Sequence, residues 1–130
     1  SGVITSAVCV FLLCRVFGLG HEHYVTLLPK SITTAIGMGV SQEAGGIVTL
    51  TVMSIIITGI AGNICAQFLC KLAKITHPVA KGLAIGTSAH ALGTAKALEL
   101  GEVEGAMSSL AIAVAGLMTV ALVPLVSGWI

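Results

Sequence analysis

The chain has 130 residues, of which 56% are hydrophobic and 8% are charged, and its formal net charge is +1. Soluble domains carry about 25% charged residues, so this composition indicates an integral membrane protein. The near-neutral charge leaves no basic face for nucleic acid, and no nucleic-acid partner is expected. The length is sufficient for about five helical crossings joined by short loops.

The first part of the chain predicts one crossing helix, a short loop and a second, shorter segment. Gly2 to Gly20 is predicted as the crossing helix and His21 to Tyr24 as a solvated loop. Only 12 uncharged residues separate Lys30 from Glu43. The stretch from Leu27 to Gln42 is therefore predicted as a short, broken or re-entrant segment. It serves either close helix packing or function, since small residues allow both.

Two further segments are long and uncharged. Ala44 to Cys70 has 27 residues without a charge and predicts one crossing, and Ala106 to Ile130 predicts another. The loop from Lys71 to Lys81 has three lysines and no acid. Positive loops face the cytoplasm, so this loop is expected to be cytoplasmic. The acidic turn from Glu99 to Glu104 is then expected on the opposite side of the membrane.

The segment from Gly82 to Gly105 differs from its neighbours because it is polar and short. It holds the only histidine set within an apolar stretch, His90. The 14 uncharged residues between Lys81 and Lys96 reach about 21 Å as a helix, less than the ~30 Å hydrocarbon core. Short, glycine-interrupted segments among long apolar ones are typical of a transporter's binding site.

One face of this segment is predicted to carry the chemistry, because residues three and four apart are neighbours on a helix. It collects Gly86, His90, Gly93, Thr94 and Ala97. Histidine has an unperturbed pKa near ~6.5, so His90 is a candidate for proton exchange. The alternative is a neutral imidazole that donates a hydrogen bond to a neighbouring helix. The hydroxyls of Thr87, Ser88 and Thr94 are candidates to bind an anion. A break at the glycines would expose backbone N–H groups to a carboxylate.

Other residue types give weaker indications. Glu99 and Glu104 are candidates for proton coupling, or they simply favour the N-terminal dipole of the next helix. The four cysteines form no C-x-x-C pair, so neither a metal site nor a disulfide is expected. No acid completes a triad with Ser88 and His90. We therefore expect no enzyme activity, no metal and no cofactor.

Two stretches resemble the LrgB/CidB family of bacterial membrane proteins: PKSITTAIGMGVSQEAGGI, and KGLAIGTSAHALGTAKALELGEVEGAMSSLA. The resemblance covers nearly the whole chain and matches the C-terminal part of the family, which implies one membrane domain over residues 1–130. It implies an all-α, multi-pass protein of the bacterial cytoplasmic membrane. The implied fold is the C-terminal repeat of an inverted-repeat carrier, with about five membrane segments, including one or two short broken helices.

The resemblance implies two competing functions. One is transport of a small monocarboxylate such as pyruvate or glycolate, together with a small holin-like LrgA/CidA partner. The other is an antiholin-like regulator of murein hydrolase export and cell lysis, without a substrate of its own. We prefer the carrier, and expect lipid contact and a homo-oligomer. The predicted substrate-binding residues are Thr33, Thr34, Gly86, Thr87, Ser88, His90, Gly93 and Thr94; those predicted for proton coupling are His90, Glu99 and Glu104.

Overall fold

A computed structural model describes residues 2–129, and the regular secondary structure of this part of the chain is all helical. Six α-helices precede a short 3₁₀ turn, Ser127–Trp129. They are α1 (Gly2–Phe17), α2 (His21–Leu27), α3 (Thr34–Glu43), α4 (Val48–Leu72), α5 (Pro78–Leu100) and α6 (Glu102–Val126). Ser1 and Ile130, the last residue of the predicted final crossing, lie outside the described residues.

Two helices are long and apolar enough to cross a membrane: α4, and α6 with the turn that follows it. Their outward faces carry large apolar side chains, such as Ile64, Leu117 and Leu125, which are 73%, 75% and 74% exposed. A soluble protein rarely exposes so continuous an apolar surface. The composition and these two helices together indicate a membrane protein.

The prediction of a solvated loop over His21 to Tyr24 is wrong, because these residues form the start of α2. Tyr24 is fully buried, and its Oη donates a hydrogen bond to the Val126 carbonyl at 3.0 Å. Its ring also packs edge-on against Phe11, with the ring centroids 6.1 Å apart. The sequence-based prediction followed the polar side chains of His21, Glu22 and His23, which lie on the exposed side of α2. The opposite side of α2 anchors the helix to α1 and α6.

Helices α2 and α3, with the turn between them, form what we call hairpin 1, and both contact α4. Thr51 of α4 contacts both of them: its Oγ1 lies 2.9 Å from the Thr26 carbonyl oxygen and 2.7 Å from Ser41 Oγ. A Cβ added at Gly37 would lie 3.5 Å from the Pro29 carbonyl oxygen. Residues eight apart on a straight helix are separated by about 12 Å, so the chain reverses between the two helices. The predicted break within 27–42 is confirmed.

Helix α5 also reverses, and its two arms, 78–89 and 91–100, form hairpin 2. His90 interrupts the helix with φ 43° and ψ −135°. A Cβ added at Gly93 would lie 3.1 Å from the carbonyl oxygen of Ile85, eight residues earlier. The break was expected at the glycines of this segment, but the structure places it at a histidine. Gly93 instead permits the two arms to touch.

Both arms of hairpin 2 meet α6 at the same residue, Ser108. A Cβ added at Gly86, on the first arm, would lie 2.8 Å from Ser108 Cα. On the second arm, Thr94 Oγ1 lies 2.7 Å from Ser108 Oγ. A straight α5 would separate Gly86 from Thr94 by about 12 Å, so it could not bring both of them to Ser108.

The two hairpins enter the bundle from opposite ends and meet near the middle of α4. Thr51, near the start of α4, contacts hairpin 1, whereas Cys70, near its end, packs in one apolar cluster with both arms of hairpin 2. Between them lies Ile55, whose Cδ1 atom lies against Gly37 of hairpin 1. Its carbonyl oxygen accepts a hydrogen bond from His90 Nε2 of hairpin 2 at 2.9 Å.

The expectation that the lysine loop and the acidic turn lie on opposite sides is wrong. Ile75 of the loop and Leu100 beside the acidic turn pack against the same apolar cluster. A Cβ at Gly82 would lie 3.1 Å from the carbonyl carbon of Glu104. Because α5 turns back at His90, both of its ends lie at one end of the bundle. Composition alone does not reveal this reversal, because a stretch of 23 residues is also long enough for one crossing.

Gly86→Ala should destabilise the protein, because the added methyl group would collide with the Ser108 backbone. Such overpacking costs about 1–3 kcal/mol. Gly39→Ala in α3 is the matched control, since no atom lies within 4 Å of its added Cβ. It should be neutral or stabilising by up to about 1 kcal/mol, because alanine favours the helix. Thermal unfolding of the full-length protein in detergent measures both. Equal unfolding temperatures would contradict the close approach of hairpin 2 to α6.

Candidate functional site

A cavity of about 490 Å³ lies where the turn of hairpin 1 comes near the first arm of hairpin 2. Helix α1 closes a further side of it. The polar side chains that line it are Thr5, Ser6, Lys30, Ser31, Thr87 and Ser88. One ammonium group and several hydroxyls in a shared cavity form a donor set suited to an anion.

Lys30 supplies the positive charge of this cavity. Its Nζ donates a hydrogen bond to Ser31 Oγ at 3.2 Å, and Ser31 Oγ lies 3.2 Å from Ser6 Oγ of α1. Across residues 2–129 the one ion pair formed is between Lys96 and Glu99, so Lys30 has no carboxylate partner there. Sequence reasoning treated Lys30 as the charged boundary of a segment. The reversal of hairpin 1 instead places it beside the middle of α1.

Thr87 and Ser88 are the two predicted binding residues that line the cavity. Each hydroxyl donates a hydrogen bond to a carbonyl four residues earlier on the first arm, Leu83 at 2.6 Å and Ala84 at 2.7 Å. Such bonds leave the oxygen lone pairs available. Rotation about the side-chain bond would redirect the proton toward an anion in the cavity.

His90 is not among the residues that line this cavity. Its side chain is only 3% exposed, and its Nε2 donates to the Ile55 carbonyl of α4. The ring fits because α4 has a glycine opposite: a Cβ at Gly59 would lie 2.6 Å from His90 Cε1. For His90 the sequence left two interpretations open, proton exchange or a hydrogen bond to a neighbouring helix. This geometry corresponds to the hydrogen bond. Proton exchange at His90 stays a prediction.

Thr94 and Gly86 lie in the packing between hairpin 2 and α6, and Gly93 lies between the two arms of hairpin 2. The buried Thr94 hydroxyl lies 3.0 Å from the His90 carbonyl oxygen and 2.7 Å from Ser108 Oγ. The two arms approach each other at Gly93, and the first arm approaches α6 at Gly86. The predicted helix face is thus buried, but it faces protein and not the cavity.

Thr33 and Thr34 lie at the turn of hairpin 1, where Thr33 precedes the first residue of α3. The Thr33 carbonyl accepts the first hydrogen bond of this helix, from the Gly37 N–H at 2.9 Å. Neither threonine is among the residues that line the cavity. The turn instead contributes Lys30 and Ser31, which Ile32 separates from this predicted pair in the sequence.

The two glutamates predicted for proton coupling lie far from His90. Glu99 is exposed and pairs with Lys96 at 2.9 Å. Glu104 is buried in the first turn of α6, where a carboxylate favours the helix dipole. Both lie at the base of hairpin 2, whereas His90 lies at its tip. Within residues 2–129, no three His, Cys, Asp or Glu side chains are grouped to hold a metal ion.

Comparison with known proteins identifies the family. The model of the LrgB-like family matches residues 1–129. The chain belongs to this family. The LrgB-like chain is 43% identical to the holin-like protein CidB of Staphylococcus epidermidis and 42% identical to that of Staphylococcus aureus. It is 39% identical to the antiholin-like protein LrgB of Bacillus cereus.

Each of these alignments covers 124 residues, which are 95% of the LrgB-like chain and 54% of the relative. The chain therefore spans about half the length of these relatives. No solved structure matches it.

His90→Ala should lower the stability of the LrgB-like protein by roughly 2–4 kcal/mol, since a buried side chain and its hydrogen bond are lost together. His90→Gln should retain most of the stability, because the glutamine amide can still donate to the Ile55 carbonyl. The measurement is thermal unfolding of the purified full-length protein, together with its yield from membranes. Equal losses in the two variants would argue against a positioning role for this hydrogen bond.

Proposed function

We propose that this LrgB-like protein forms part of a carrier for a small monocarboxylate, such as pyruvate or glycolate, in the bacterial cytoplasmic membrane. The main support is the meeting of two helical hairpins, from opposite ends of the bundle, at Ile55. Carriers bind their substrates where discontinuous helices meet near the bilayer midplane. The cavity lined by Lys30, Thr87 and Ser88 lies beside this point.

The proposed membrane arrangement has five elements, of which α1, α4 and α6 cross and the two hairpins re-enter. Hairpin 1 with α4, and hairpin 2 with α6, are two similar units of opposite orientation, as in an inverted repeat. In each unit a glycine of the second arm lies near a carbonyl oxygen eight residues earlier: Gly37 near Pro29, and Gly93 near Ile85. The lysine-rich end is assigned to the cytoplasm. The acidic turn is assigned to that side as well.

The proposed partners follow from the length and names of the relatives. The chain matches 54% of the relatives, and we assign it to the C-terminal part of a longer membrane protein. The relatives are named holin-like and antiholin-like proteins, which supports a place in the LrgA/CidA system with a small holin-like partner. Lipid contact along the apolar helices and a homo-oligomer complete the proposal. No enzymatic activity is part of it.

The second candidate is an antiholin-like regulator of murein hydrolase export and cell lysis, which acts through protein contacts alone. Two observations favour it: the name of the Bacillus cereus relative, and the burial of His90 in protein. A regulator would have no need for a polar cavity, however. The ammonium of Lys30, which lies among hydroxyls and has no carboxylate partner within residues 2–129, therefore favours the carrier.

Uptake distinguishes the two functions. Vesicles that contain the full-length protein and its LrgA/CidA-like partner should accumulate at least one of labelled pyruvate, lactate and glycolate. The uptake should saturate with substrate concentration, and vesicles without the protein are the control. Absence of saturable uptake of all three acids, with both proteins present and folded, would reject the carrier and favour the regulator.

The same assay tests proton exchange at His90. Glutamine can keep the hydrogen bond to Ile55 but cannot titrate between about pH 5 and 8. The positioning geometry predicts that wild type and His90→Gln show the same pH profile of uptake. A flattened profile in the variant, at equal amounts of folded protein, would instead assign the exchanged proton to His90.

A further inference from the structure

We infer that Lys30 binds the carboxylate group of the transported anion, in the cavity between hairpin 1 and hairpin 2. This inference rests on the proposed carrier function and adds a residue, within the first of the two motif stretches, that was not among the predicted binding residues. The cavity volume of about 490 Å³ exceeds the space that a small organic acid needs. The anion would thus enter together with water.

The positive charge of Lys30 has no counter-charge within residues 2–129. The residue lies in the turn of hairpin 1, opposite Ser6 of α1, and not at the end of the bundle where α1 finishes. An ammonium group inside a membrane protein is costly unless it is paired or faces a polar cavity. Its partners among the described residues include a hydroxyl but no carboxylate. A bound anion would supply the missing negative charge.

Hydroxyl groups line the same cavity as the ammonium of Lys30. Ser31 and Ser6 lie within 3.2 Å of each other beside Lys30, and Thr87 and Ser88 line the same cavity from hairpin 2. A carboxylate has two oxygens and accepts several hydrogen bonds. It can therefore bind the ammonium on one hairpin and a hydroxyl on the other. Binding would link the two hairpin tips across the cavity.

Binding can be measured apart from transport through Cys9, an exposed cysteine that lines the cavity. In full-length protein that retains Cys9 while the other native cysteines are replaced, a small maleimide reagent should label this thiol. Pyruvate, lactate or glycolate should slow the labelling in a saturable way. Lactamide has nearly the shape of lactate but no charge, and should not slow it. Equal protection by lactate and lactamide would overturn the inference.

Substitution of Lys30 then tests the residue itself. Lys30→Gln should raise the half-protecting acid concentration by roughly 10- to 100-fold, the range of a charge-assisted hydrogen bond. Lys30→Arg should restore part of the affinity, because it keeps the charge. Lys71→Gln, on the exposed end of α4, is the control and should behave as wild type. Wild-type affinity in Lys30→Gln would overturn the inference.

The two assays separate failure of the site from failure of the function. Protection of Cys9 that depends on Lys30, without any uptake, would support the site and reject the carrier. Uptake by wild type and by Lys30→Gln with equal half-saturating concentrations would support the carrier and reject the site. If Lys30→Gln fails to fold, the comparison of lactate with lactamide on the wild type still decides whether the cavity binds the charge.

Discussion

The hydrogen bond from His90 Nε2 to the Ile55 carbonyl holds the part of the structure on which the candidate site depends. A non-glycine residue with φ 43° and ψ −135° is strained, and such strain persists only where the surroundings hold it. Here the ring is fixed between α4 and α5, in a space that Gly59 leaves open. Without this turn, α5 would continue as one helix, and its second arm would not return beside the first arm to Ser108 of α6.

The same kind of hydroxyl contact attaches each hairpin to the helix that follows it. A hydroxyl pair joins the second arm of each hairpin to the long helix that follows: Ser41 to Thr51, and Thr94 to Ser108, both at 2.7 Å. Such pairs are favourable in a membrane because a buried hydroxyl has no water to bond. Among the described residues, no buried side-chain nitrogen or oxygen lacks a partner. The ammonium of Lys30 has a hydroxyl partner but no counter-charge, which distinguishes it from these packing pairs.

Sequence reasoning found the family, the two long helices and the short broken segments, because composition and motif residues determine them directly. It was wrong about the reversal of α5, since a single strained histidine between helical arms leaves no periodic signal. The same error put the acidic turn on the wrong side. It also did not select Lys30 as a binding residue, because a lysine at the edge of an apolar run is usually interpreted as the end of a membrane segment. The reversal of the chain within hairpin 1 brings this residue beside α1.

The central claim is that both hairpins return to the side from which they entered, and labelling from either side of the membrane tests it most directly. Single cysteines at His23, Gln42, Thr76 and Val103, all exposed, would be placed in full-length protein without native cysteines. An impermeant thiol reagent should label Thr76→Cys and Val103→Cys from one side, and His23→Cys and Gln42→Cys from the other. Labelling of the 76 and 103 positions from opposite sides would contradict the account, because it would mean that α5 crosses the membrane.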